Sequence, residues 1–304
     1  MDKPQVDRIN LDGELGIVNS ARVSYNAWSK ALTEKDKDLI KFLKEHQHGS
    51  PFYHPQKMFL IKDFDIRKIY TLDRRGIDEY YIEEWDTYIV RASYFSYCQY
   101  KEYFDKHISL DCESICNEDW FLTMQSSLYK ASRIPYLSFR ITTSIVVADQ
   151  LKKHSGPQNQ ISYRYVTSIL AFFIPNKWRK KSPSNKQGSL QNEFVKEKKV
   201  MFFLGFKWIL KIIQKWYEMN IANKVCGEQA RMLLPVATYT SFVWTLTLQD
   251  YARICYLRLK PDAQLETREV VEQIYELCKA EYPKTFDRLI ELVGDRMNKS
   301  FKNL

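Results

Sequence analysis

The sequence predicts an α+β fold, rich in helix, with a small central sheet. Three observations lead there. Leu39, Ile40 and Leu43 recur at helical spacing. Tyr136-Leu137-Ser138-Phe139-Arg140-Ile141 alternates as a strand does and is followed by the β-branched Ile145-Val146-Val147. The C-terminal third reads as a run of helices punctuated by Pro235 and Pro261.

Taken in order, residues 19–45 read as a short helix or turn and then an amphipathic helix, which Thr33 and Asp36 open as a capping box. His46-Gln47-His48-Gly49-Ser50-Pro51-Phe52-Tyr53-His54 forms a loop, since Gly and Pro break the helix. Residues 58–61 form a short strand. Aromatic-rich residues 65–104 are expected to be helical, best over 85–100. Within 134–147 the first run is a strand, and the second either continues it or opens a helix. Residues 152–164 hold Gly156 and Pro157 and form a loop. Residues 180–191, rich in Ser, Lys, Asn and Gln, read as a mobile surface loop. Helices are expected over 191–221, 225–233, 241–259 and 263–292. There is no internal repeat, and residues 1–304 are expected to form one domain.

Of the 304 residues, 45% are apolar and 27% charged, an ordinary globular balance. The formal net charge of +9 suits either nucleic acid or small phosphorylated ligands. No nucleic-acid recognition motif appears, so small ligands are favoured. Lysine-rich stretches at 177–186, 196–199 and 299–302 read as solvated faces. The six cysteines (98, 112, 116, 226, 255 and 278) form no CxxC pair, so no metal site is expected. With neither a signal-like start nor a membrane-length apolar run, the expected setting is the reducing cytoplasm.

Four ordered blocks carry a resemblance. Ala21-Arg22-Val23-Ser24-Tyr25 comes first, and His48-Gly49-Ser50-Pro51-Phe52-Tyr53-His54 second. The third runs from Lys152-Lys153-His154 through Asn159-Gln160 to Ser162-Tyr163-Arg164-Tyr165, with Phe172-Phe173-Ile174-Pro175 behind it. The fourth holds Ala230-Arg231, Leu234-Pro235, Tyr239-Thr240, Trp244-Thr245, Leu257-Arg258 and Ala263-Gln264-Leu265-Glu266. Together they resemble the flavin-dependent thymidylate synthase family, with 62–133 as an insertion atypical of it.

The resemblance implies reductive C5 methylation of dUMP to dTMP, with methylenetetrahydrofolate as carbon donor, FAD as redox carrier and NADPH as reductant. It also implies a homotetramer with sites between subunits. Ser162, Arg164 and Arg231 would hold the nucleotide, Asp149 would lie near its pyrimidine, and Arg258 would polarise the ring as the catalytic cation. The chemistry suits these types. Arginine forks match phosphate oxygens, and a cation at a pyrimidine's O2/N3 edge stabilises negative charge developing there. His48, Ser50, Lys152, Lys153, His154, Gln160, Thr247, Gln249 and Arg253 occupy the cofactor-binding positions.

This side departs from the family. Lys152-Lys153-His154 stands for Arg-His-Arg, Gln160 for an acid, and Asp149 for Gln. Thr247, Gln249, Arg253 and Asp262 stand for Asn, Arg, Asn and His. The same residues have plainer readings. An arginine taken singly is usually a surface contact, His48 can serve its turn, and His154 can face solvent or a phosphate. A related enzyme acting on another pyrimidine nucleotide, for example by hydroxymethylation, and a nucleotide-binding homologue impaired in catalysis remain as alternatives.

Overall fold

The computed structural model describes residues 3–65, 76–110, 117–124, 127–169, 171–176, 178–183, 189–194 and 200–302. The chain opens with β1 (Gln5–Ile9), α1 (Gly13–Arg22) and α2 (Glu34–Glu45). Next come β2 (Gln56–Ile61), β3 (Ile77–Ile82), β4 (Thr87–Ser93), α3 (Tyr94–Gln99) and β5 (Ile108–Leu110). β6 (Tyr136–Ser144) runs straight into α4 (Ile145–Leu151), followed by β7 (Gln158–Gln160). A hairpin of β8 (Arg179–Lys181) and β9 (Ser189–Phe194) precedes α5 (Val200–Ala222). β10 (Tyr239–Thr247) runs into α6 (Leu248–Arg258), and α7 (Leu265–Glu281) and α8 (Phe286–Lys302) close the chain.

The architecture is α+β, as expected, with two four-stranded sheets among the described residues, ordered β1-β6-β10-β7 and β3-β4-β2-β5. All the pairings are antiparallel. β6 and β10 pair along their full length, with Tyr239 opposite Ser144 and Thr247 opposite Tyr136. Their helices therefore leave from opposite ends of the sheet. Thr247 caps α6, accepting from the Asp250 amide at 3.1 Å and donating to Asp250 Oδ2 at 2.7 Å.

The main core lies between the first sheet and helices α6, α7 and α8, with Phe139, Phe242, Trp244 and Tyr251 all buried. Burying each such side chain contributes about 1.5–3 kcal/mol. The Tyr251 hydroxyl donates to the Trp244 backbone carbonyl at 3.0 Å, so this buried phenol has a polar partner. The capping box at Thr33 is present, the Thr33 amide donating to Asp36 Oδ2 at 2.8 Å.

Several elements differ from the sequence reading. The helix expected over 241–259 is strand β10 followed by α6. Every residue of β10 is buried, so the alternation that marks a half-buried strand is absent. Of the helical stretch expected over 65–104, residues 66–75 lie outside the described residues, and the rest is chiefly strands β3 and β4, with the short α3 and a further helical turn, Lys101–Phe104, at its end. The helix expected over 263–292 is two helices, because Pro283, just after α7, lacks the amide that would continue it. The helix expected from 191 starts at Val200, since 191 lies in β9. Residues 225–233 make only a short turn of helix, Gly227–Ala230, and a 3-10 turn, Arg231–Leu233. Of the expected loop over 180–191, the flanks belong to β8 and β9, and 184–188 lie outside the described residues, as do Cys112 and Cys116.

Candidate functional site: a polar cleft and two arginine clusters

Where the end of β10 meets the second sheet lies a cleft of about 670 Å³, within the size range of small-molecule sites. One side comes from Ser50, Gln56, Asp78 and Arg91, the other from Lys152, Pro157, Thr247 and Asp250. Ser50, Lys152 and Thr247 were expected at a cofactor; the fold brings them to one cavity.

Beneath the cleft sits His54, fully buried. Its Nε2 lies 3.2 Å from Asn159 Oδ1, and its Nδ1 2.8 Å from Thr245 Oγ1. An amide oxygen only accepts, so Nε2 carries the proton and Nδ1 accepts from the threonine hydroxyl. Thr245 Oγ1 is also 2.7 Å from Ser138 Oγ, and Asn159 Nδ2 donates to Ser50 Oγ at 3.3 Å. This chain of bonds ties the cleft-lining Ser50 to the centre of the sheet. Burial pushes the His54 imidazole down to about 4, the Asn159 contact opposing it, so the ring is neutral at pH 7.

The second-sheet wall carries a buried cation. Arg91, on β4, is 7% exposed. Its Nη1 donates to Gln56 Oε1 at 2.8 Å, and its Nη2 is paired with Asp78 Oδ2. Asp78 Oδ1 accepts from Arg133 Nη2 at 2.7 Å, so one carboxylate is shared by two guanidinium groups.

The first arginine cluster forms where α6 ends beside the turn after α4. Arg258 Nε donates to His154 Nε2 at 3.2 Å. Burial, then the charges of Arg258 and Arg253, push His154 down to about 4. The neutral ring can therefore accept, and among the described residues this is the one hydrogen bond Arg258 makes. Its terminal fork stays open for a ligand. Asp149 pairs with Lys152 at 3.3 Å nearby, and Lys153 is exposed.

The second cluster forms after β7. Ser162 Oγ accepts from Arg164 Nε at 3.4 Å, and Arg164 Nη1 pairs with Glu228 at 3.3 Å. Arg164 also lies over Tyr165, which stacks on Tyr25 at 4.8 Å and so joins the first and third sequence blocks. A Cβ on Gly227 would come within 2.5 Å of the Arg164 carbonyl oxygen. That close approach packs the Gly227–Ala230 turn against Arg164 and puts exposed Arg231 at its end.

Three expected cofactor residues lie elsewhere or are already engaged. Gln160 donates to Thr240 Oγ1 at 2.8 Å, Gln249 bonds the Tyr129 carbonyl, and His48 is exposed with its ring edge toward Phe42 at 6.2 Å. Sequence reasoning missed Asp78, Arg91 and His54. The first two lie on strands read as helix. His54 belongs to the second sequence block, and its one local cue is its place beside Pro55 at the head of a strand. Among the described residues no cluster could hold a metal ion, and no helix is long and apolar enough to cross a membrane.

An α+β chain with a polar cleft and two separate arginine clusters has the makings of a protein for anionic small molecules. The chain belongs to the family described as thymidylate synthase complementing protein, whose model matches residues 122–284, just over half of it. A flavin-dependent thymidylate synthase of Aquifex aeolicus is 28% identical over 295 residues, covering 86% of this chain and 92% of that protein. One from Thermosipho melanesiensis is 30% identical over 158 residues, 51% of this chain and 67% of its own length. A crystal structure of the UMP/dUMP methylase PolB from Streptomyces cacaoi, bound with 5-Br UMP, has a TM-score of 0.48 at 16% identity, covering 97% of this chain and 96% of that one.

Proposed function

We propose that this chain is a flavin-dependent thymidylate synthase-like methyltransferase that converts dUMP to dTMP. Methylenetetrahydrofolate is the carbon donor, FAD the redox carrier and NADPH the reductant. The observation that carries the reading is the anchored Arg258, whose fork is left open by its single bond to His154. A fixed cation at the O2/N3 edge of a uracil stabilises negative charge as the ring gains density at C5, and costs no reorganisation when that charge develops.

Ser162, Arg164 and Arg231 hold the nucleotide phosphate in this reading. Arg231 is exposed, and in the homotetramer that the family resemblance implies it would serve a site between subunits. The cleft suits the flavin by its chemistry. Lys152 and Arg91 supply cations, Ser50 and Thr247 hydroxyls, and the volume is that of a small-molecule site. Bound there, the flavin would relay reducing equivalents from NADPH. Lys152 and Ser50 would hold it, while His54 keeps Ser50 in place through Asn159.

The test combines a spectrum with a product assay. Purified protein should show flavin absorbance, and dUMP with methylenetetrahydrofolate and NADPH should yield dTMP by mass spectrometry. Parallel reactions with UMP and dCMP should yield far less product. A colourless protein that ignores added FAD and fails to rescue thymidine-requiring cells would defeat the reading.

A further inference from the structure

Arg258 ends α6 and His154 ends the turn that follows α4, and the hydrogen bond between them is one side of a closed ring. On the His154 side, the chain back to Gln150 is a tight turn. The Lys152 amide donates to the Ala148 carbonyl at 2.9 Å, and the His154 amide to the Leu151 carbonyl at 3.0 Å. On the Arg258 side, the chain forward to Gln264 is also braced. The Ala263 amide donates to the Lys260 carbonyl at 3.0 Å, and Arg268 Nη2 donates to the carbonyls of Pro261 and Ala263, each at 3.1 Å. Gln150 and Gln264 then close the ring. Gln150 Nε2 donates to Gln264 Oε1, and Gln150 Oε1 accepts from Thr267 Oγ1 at 2.8 Å. Thr267, in the first turn of α7, is fully buried, so the bridge is anchored in the core.

We propose that Gln150 is a positioning residue: its bridge to Gln264 and Thr267 holds α4 against the head of α7 and so keeps His154 within reach of Arg258. Gln150 stands four residues before His154, and Gln264 six after Arg258. Two short, internally braced stretches joined at both ends have little freedom to part, which fixes the arginine before any charge develops on a ligand. The part this plays in turnover rests on the proposed function, which makes Arg258 the cation at the pyrimidine; the ring of contacts does not.

The test is an NMR titration of the histidine imidazoles in the full chain, from about pH 8 to about pH 5, with His154 assigned through His154→Gln. Burial, then the charges of Arg258 and Arg253, hold His154 near 4, so in the natural chain its resonance should stay at the neutral position throughout. In Gln150→Met and in Gln264→Ala the imidazole gains water and Arg258 recedes, and both changes favour the charged ring. Its midpoint should rise by about one unit or more. Gln264→Ala removes a half-buried side chain that makes no cap for α7, and it carries the test if Gln150→Met fails to fold. Thr267→Val should raise the midpoint as well, whereas Thr267→Ser, which keeps the hydroxyl, should leave it in place. His54, also held near 4 but outside the ring, should not move in any variant. In turnover of dUMP, Gln150→Met should lower kcat about tenfold and change KM less than about twofold, the pattern of an interaction made in the transition state.

A raised His154 midpoint in a protein that binds no flavin and makes no dTMP would sustain the bridge while removing the proposed activity. An unmoved midpoint in Gln150→Met and Gln264→Ala would overturn the inference and leave that activity intact. Equal rises at His54 and His154, or the same rise in Thr267→Ser as in Thr267→Val, would also overturn it, because the core as a whole would then have loosened.

Discussion

Arg258 is held from behind by His154: the arginine Nε donates to the imidazole Nε2 at 3.2 Å across 104 positions of sequence. A hydrogen bond to a charged group is worth about 1.5–3 kcal/mol. His154→Ala should therefore lower kcat/KM for the nucleotide about 10- to 100-fold. His154→Gln, which keeps an acceptor, should recover much of it. Steady-state kinetics on both variants checks this; equal losses would mean that the bond does not position Arg258.

The buried His54 makes stability depend on pH. Burial holds it near 4 in the folded chain, against its ordinary 6.5. Between those values the unfolded chain binds more protons, so stability is complete above about pH 6.5 and is lost as pH falls toward 4. A shift of this size corresponds to about 3 kcal/mol. Urea midpoints at pH 7 and pH 4.5 should differ strongly in the natural chain and by less in His54→Gln, in which His154, also held near 4, keeps part of the dependence.

Thr247 joins the cleft to the helix that carries Arg258, through its paired bonds with Asp250. Loss of such a cap costs about 1 kcal/mol. Thr247→Ala should lower the unfolding free energy measured in urea by that amount, whereas Thr247→Ser should leave it nearly unchanged. If both variants bind FAD as the natural chain does, Thr247 serves the helix alone.

Arg231 and Arg258 lie in separate clusters of one chain. If each site draws on two subunits, Arg231→Ala and Arg258→Ala should each be inactive, and co-refolded mixtures should regain activity from sites that hold neither change. Activity of the mixture no greater than that of the separate variants would place both arginines in the same subunit's site.

The α+β class, the capping box at Thr33, the strand at β6 and the family blocks were legible because each is a local pattern. Thr33 and Asp36 are three residues apart, and β6 alternates in its first half. β10 was not legible as a strand, since burial on both faces leaves no period to read. The same limit hid Arg91 and Asp78. Their pairing is a register effect, Asp78 lying opposite Arg91 across β3 and β4, and register is invisible until the strands are known.

By itself, then, the sequence determined which chemical groups are present: the arginines, the lysine pair with His154, and the hydroxyls of the matched blocks. Only the tertiary structure decided which of them meet. It set Arg258 against His154, placed Ser50, Lys152 and Thr247 around one cleft, and brought Arg91 in from the second sheet. The reason is physical: helix and strand propensities act over a few residues, whereas a binding site is made by packing that joins residues far apart in the chain.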